Sequence, residues 1–257
     1  MLACVARPRP IYVIGDSQAA VFADRVYQAP GESSQFIVRA KYLPGVTAAG
    51  FADADGTLHA MVMAALTSEC LIVPDDDGAL KAIHRVESAH WRYAAVTMGW
   101  SRRSPVIVLM CGSLDVAQVL YELGTGAGDA SVSTEDLMER VERRIAAFEA
   151  GLRTLRSYGL EDIFVHSVAP THPDDQAWQS AIGFFAPAML RYKVSLMIND
   201  RLARAAEATG TDFIDLWPDA MDGASMRPEF ALDVCHVNGR GALTTINRVV
   251  ERLNARE

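Results

Sequence analysis

The stretch YVIGDSQAAVF, residues 12–22, carries an apolar run into Gly15-Asp16-Ser17, and a helical pattern follows at once. A hydroxyl in that place has two readings. A serine at a helix start is a common cap, because its side-chain oxygen accepts from an orphan backbone N–H. It is also where a nucleophile would be displayed, at the end of the first buried strand. A serine hydroxyl attacks poorly until a base stands beside it. The far end of the chain offers one. In LDVCH, Asp233 and His236 lie three residues apart, in a turn ahead of the terminal helix. That spacing can bring the carboxylate to one ring nitrogen, fixing the tautomer and leaving the other nitrogen to take a proton. Ser17, Asp233 and His236 then make a complete acyl-transfer triad, in the chain order Ser, Asp, His. Each piece alone reads as a cap or a surface pair. Their joint placement is what points to chemistry.

These residues need a scaffold, and apolar runs of strand length alternate with helical patterns along the chain. IYVIG (11–15), QFIVRAK (35–41), SPVIVLMCG (104–112), EDIFVHSVAP (161–170) and TDFIDLWP (211–218) read as strands. The run at 104–112 is apolar throughout, as a strand covered on both faces should be. Residues 17–28, 58–67, 79–103, 134–157, 188–209 and 238–255 read as helices. Thr134 or Ser133 is the expected cap of helix 134–157, and Gly210 closes helix 188–209. The alternation predicts an open, mostly parallel sheet with helices on both faces. Ligands of such sheets bind beyond the carboxyl ends of the strands, where Ser17, Asp115 and the VAPTH segment all fall.

The chain has 257 residues, half of them hydrophobic, and a formal charge of −8. Its length suits one α/β domain. An acidic chain without a basic block is a poor match for nucleic acid or an anionic membrane. The four cysteines are dispersed, which fits reduced thiols and a cytoplasmic protein. No signal peptide or membrane-spanning run is read. No repeat, low-complexity tract or linker is evident, and LGTGAGDASVS (123–133) reads as a small-residue loop without a phosphate-binding pattern.

In its motifs the chain resembles the SGNH (GDSL-type) hydrolases over nearly its full length. IGDSQ matches the family's first block, which places Ser17 on the nucleophile and its N–H in the oxyanion hole. Gly45 in YLPGVTAAG is the best match to the glycine of the second block, with Gly50 the weaker choice. LDVCH matches the last block, with Asp233 as acid and His236 as base. The resemblance implies a single domain over residues 1–257. Its fold would be a three-layer α/β/α sandwich with a mostly parallel five-stranded sheet of flavodoxin-like topology. It also implies an acyl-serine mechanism without metal or organic cofactor.

The third block departs from the family's Gly-x-Asn-Asp form. Here it is CGSLDV: Gly112 and Asp115 keep their places, and Leu114 stands where an asparagine donates to the oxyanion. Loss of one such donor costs roughly 10²–10³ in turnover. Ser113 or Gln118 donating instead, two backbone N–H groups sufficing for an activated substrate, and a different substrate or acceptor all remain open. Loss of activity is a fourth option. Asp115 is expected to cap a loop through backbone N–H groups.

Asp16, Gly112, Ser113, Leu114, Asp115 and His172 are therefore candidate neighbours of the site, and His166 reads as a core histidine. His59, His84 and His90 lack metal-ligand spacing, and PDDDG (74–78) lacks the ligands of a calcium loop. Cys111 and Cys235 flank the site as small hydrophobes. Trp178, Phe184, Phe185 and Met189 read as core, or as the wall of an acyl pocket. The expected activity is hydrolysis of a small-molecule ester or thioester, as an esterase, deacetylase or acylhydrolase. An acyltransferase with an alcohol or amine acceptor, and a non-catalytic binding module, are the alternatives. Neither substrate nor oligomeric state is readable.

Overall fold

The computed structural model describes residues 9–22, 25–28, 35–43, 47–48, 50, 72–74, 80–82, 106–126, 133–157 and 160–256. Three strands come early: β1 (Arg9–Gly15), β2 (Arg25–Gln28) and β3 (Gln35–Tyr42). A hairpin of β4 (Ile72–Pro74) and β5 (Leu80–Ala82) stands apart from the main sheet. Then follow β6 (Val106–Met110), α1 (Ser113–Gly126), α2 (Thr134–Ser157) and β7 (Asp162–His166). After them come α3 (Asp175–Ile182), α4 (Ala188–Thr209), β8 (Asp212–Ile214) and α5 (Trp217–Ala220). A two-residue hairpin, β9 (Met221–Asp222) with β10 (Ser225–Met226), precedes the terminal α6 (Gly239–Asn254).

The main sheet has the order β2-β3-β1-β6-β7-β8. Every pairing but the first is parallel. The five parallel strands, taken in chain order, run 2-1-3-4-5, the flavodoxin-like order. The expected five-stranded parallel sheet is present, with an antiparallel sixth strand at its edge. That strand corrects the reading of residues 17–28 as one helix. The helical part is a single 3₁₀ turn, Ser17–Val21, which Phe22 ends with a non-helical backbone. Val26 and Tyr27 then follow strand preference and pair with Ile37 and Phe36. Leu80–Ala82 likewise forms a strand inside the segment read as helix 79–103, drawn out by pairing with Ile72–Pro74. The expected helix 58–67 lies outside the described residues.

Alternation along the strands builds the two flanking layers. Tyr12, Ile14, Ile107, Leu109, Ile163 and Val165 pack on one face against Val119, Phe148, Leu152 and Ile198 of α1, α2 and α4. Ile11, Val13, Val106, Val108 and Phe164 face the other way, onto Ile246, Val249, Val250 and Leu253 of α6. This is the three-layer α/β/α sandwich. Where the sequence pattern was long and periodic, boundaries agree closely: α2 and α4 match their expected spans. Ser133 caps α2, its Oγ accepting from the Asp136 N–H at 3.0 Å. Gly210 closes α4 with φ +64°.

Among the described residues, no helix is long and apolar enough to cross a membrane.

Candidate active site

The strand order reverses between β1 and β6, the place beyond the carboxyl ends where ligands of such sheets bind. β1 delivers Ser17 there and β6 delivers Ser113. The two strands approach closely: the Asp16 N–H donates to the Met110 carbonyl at 3.0 Å. A Cβ on Gly15 would stand 1.9 Å from that same carbonyl oxygen, so no other residue fits. Gly112 holds φ +110°, a conformation few side chains tolerate, and starts α1 beside Ser17's turn.

The cap of the 3₁₀ turn is Asp16, not Ser17: its carboxylate accepts from the Gln18 N–H at 2.9 Å. That removes the bland reading of the serine. With the capping done by its neighbour, the Ser17 hydroxyl is free to bond elsewhere. It meets His236 Nε2 at 2.7 Å. His236 Nδ1 lies 2.7 and 2.9 Å from the two oxygens of Asp233. Asp233 Oδ1 also accepts the backbone N–H groups of Cys235 and His236, both at 2.9 Å. Burial raises the Asp233 pKa. The hydrogen bonds from Cys235 and His236 and the charge of the ring outweigh this, and the carboxyl stays below its ordinary range. A carboxylate held ionised at Nδ1 keeps the proton there and leaves Nε2 facing the serine. The three expected residues thus come together from opposite ends of the chain.

The loop bearing Asp233 and His236 is tied down from several sides. The Leu232 N–H donates to the His236 carbonyl at 2.8 Å, and the Asn238 N–H to the Phe230 carbonyl at 2.7 Å. Ala231 and Val237 form an isolated antiparallel bridge. From outside, the His172 N–H donates to the Val234 carbonyl at 2.9 Å. The His172 carbonyl in turn accepts from Arg191, a fully buried guanidinium that also pairs with Asp175 and lies over the Trp178 ring. So His172 meets the site through its backbone, while its ring accepts from the Asp174 N–H.

Asp16 is more than a cap. It is buried, and among the described residues its Oδ2 has no hydrogen-bond partner. Burial raises its pKa to about 6, against the pull of the Gln18 N–H, the neighbouring Ser113 hydroxyl and N–H, and the His236 ring. Ser113 lies close enough to Asp16 to favour its ionised form. Gln118 is engaged elsewhere: its Oε1 accepts from Arg144 on α2. Leu114 is half-buried at the first turn of α1. Asp115 plays the structural part expected of it. Fully buried, it accepts the Ala48 N–H at 2.6 Å and pins the segment that follows the second-block glycine. Gly45 itself lies outside the described residues. The Gly50 N–H is bonded to Thr47 Oγ1 at 3.0 Å.

His166 is a satisfied core histidine. It contacts the Ser167 carbonyl and Thr245 Oγ1, and burial lowers its pKa to about 4. Cys111 is buried, and burial pushes its thiol well up; burial and Asp233 raise Cys235 to about 12. Asp233, Cys235 and His236 bring an oxygen, a sulfur and a nitrogen within 4.8 Å of one another. The bonds within the Asp–His pair already account for that grouping. Trp178 is core, whereas Phe185 and Met189 are exposed. Sequence reading missed Gln18, whose side chain reaches the His236 loop. Its only signal was a polar residue at a position that the turn must bury.

No protein-family model matches the chain, and no curated protein matches it. Solved structures do share its shape. One, 15% identical, has a TM-score of 0.50 over 96% of this chain and 98% of its own. A GDSL-like lipase from Bacteroides thetaiotaomicron is 11% identical, with a TM-score of 0.46 over 96% and 88% of the two chains. A carbohydrate acetylesterase from Sinorhizobium meliloti is also 11% identical, with a TM-score of 0.44 over 97% and 100%. At 15% identity the likeness is one of fold, an α/β/α sandwich on a mostly parallel sheet.

Proposed function

We propose that this protein is a serine hydrolase of the SGNH type, cleaving a small-molecule ester or thioester through an acyl-serine intermediate. The observation that carries the reading is the unbroken line from Ser17 Oγ to His236 Nε2 and from His236 Nδ1 to Asp233, with both bonds at 2.7 Å. Ser17 Oγ attacks the acyl carbonyl while His236 Nε2 takes its proton. The imidazolium so formed is stabilised by Asp233, and it returns the proton to the leaving alcohol or thiol. Water then repeats the sequence on the acyl-serine and releases the acid. The Ser17 N–H is the first of its turn and has no acceptor within it, so it serves the oxyanion; the Gly45 N–H is assigned as its companion.

Hydrolysis is favoured over transfer to another acceptor because His236, the base that would activate water, keeps 22% of its side chain exposed. A transferase must exclude water from its acyl-serine. The test is turnover of a short p-nitrophenyl ester together with labelling by a fluorophosphonate. Wild-type protein should carry the adduct on Ser17, and Ser17→Ala should lose both labelling and turnover. Turnover persisting in that variant would show that the nucleophile is another residue.

A further inference from the structure

Gln18, the residue after the nucleophile, is a buried polar side chain with only 2% of its surface exposed. Such a group is kept only where its amide finds partners. It finds them 217 and 219 residues away, on either side of His236. Its Nε2 donates to the Cys235 carbonyl. Its Oε1 accepts from the Val237 N–H at 3.3 Å. The side-chain amide therefore stands in for a peptide group of a neighbouring strand, pairing with the backbone that brackets the histidine.

The remaining ties of that loop do not do this. The bonds of Leu232 and Asn238 close the loop on itself, and His172 holds it from the opposite side. Among the described residues, the hydrogen bonds from the 3₁₀ turn to the loop are those of Gln18 and the Ser17–His236 bond itself. The Ser17–His236 bond must loosen and re-form in every turnover, so it cannot be what fixes the distance.

We infer that Gln18 is a positioning residue, clamping the His236 loop to the nucleophile turn so that Nε2 stays within reach of Ser17 Oγ through the reaction. The inference rests on the triad reading above. It adds that the base is held in place from the nucleophile's own turn, by a group that never touches the reacting atoms.

Two variants test it on the full chain, with p-nitrophenyl ester turnover followed across pH and with melting temperature as the check on folding. Gln18→Leu fills the same space without either bond. It should leave KM near the wild-type value and lower kcat by roughly 10- to 100-fold, the scale on which small misplacements act. Gln18→Glu keeps the acceptor for Val237 and loses the donor to Cys235. Protonation restores a donor, so its kcat relative to wild type should recover as pH falls through the glutamate's titration. A residue that only fills space would give a ratio independent of pH.

A folded Gln18→Leu with wild-type kcat overturns the clamp. If that variant does not fold, a pH-independent Gln18→Glu ratio overturns it instead. The Ser17→Ala control separates the two claims. If it is inactive while Gln18→Leu is fully active, the clamp fails and the triad stands. If it is active, the triad reading fails first, and the clamp with it.

Discussion

Two loops flank Ser17, and they are equipped very differently. The loop at residues 231–238 is crossed by backbone, side-chain and long-range bonds, and both carboxylate oxygens of Asp233 and both ring nitrogens of His236 are bonded. The start of α1, at residues 111–115, is just as firmly placed, by Gly112 and Asp115, and carries Leu114 on its first turn. Two polar side chains of α1 are engaged elsewhere, Asp115 with Ala48 and Gln118 with Arg144. Among the described residues, the first loop holds its polar groups in line with Ser17, and the second spends its polar side chains on the fold. The contrast teaches that two loops can be placed with equal firmness while only one is aimed at the serine.

The sharpest way to break the contrast is on its strong side. Asp233→Asn should keep the loop's shape but favour the wrong tautomer of His236. Turnover is expected to fall by roughly 10⁴-fold, read as kcat for the p-nitrophenyl ester. A loss of less than tenfold would mean that the well-built loop is structural.

The next effect is on stability, where Asp16 sits between the two loops. Its folded pKa of about 6 lies above the ordinary 3.8, so burial costs stability as pH rises from about 4 through 6 and levels off above. Asp16→Asn removes that cost, a gain on the order of 3 kcal/mol at pH 7. His166 acts in the opposite sense. Its pKa is lowered from 6.5 to about 4, so stability is lost as pH falls through that window. The two offset each other in the wild type. Denaturant midpoints measured from pH 4 to 7 should therefore slope more steeply in Asp16→Asn than in wild type, falling toward acid. His166→Gln should slope the other way.

The smallest expected effect sharpens the weak side. Leu114→Asn places a donor on the first turn of α1, and kcat should rise by roughly tenfold, short of the roughly 10²–10³ that a pre-aimed oxyanion donor supplies. An unchanged kcat would mean that this turn does not face the oxyanion.

Much of this was legible in the residues alone. The buried strands announce themselves because a strand covered on both faces must be apolar throughout, as Val106–Met110 is. Helices α2 and α4 are long enough for their periodicity to outweigh local ambiguity. Ser17, Asp233 and His236 were readable because their chemistry demands those types beside two recognisable boundaries. What stayed hidden depends on contacts with no sequence period. Asp16 rather than Ser17 caps the turn, a choice decided by one backbone conformation. Arg25–Gln28 became a strand because an edge of β3 was open to it. Gln18 gave little away, because its partners lie more than two hundred residues off.

That separation has a consequence for how the protein comes into being. Ser17 leaves the ribosome 219 residues ahead of the histidine it is bonded to. Synthesis runs at about 5–20 residues per second, so the serine exists for many seconds as an inert hydroxyl. The proposed hydrolytic power can arise only when residues 231–238 dock against a sheet already assembled. Activity would then be, in effect, a receipt for a completed fold.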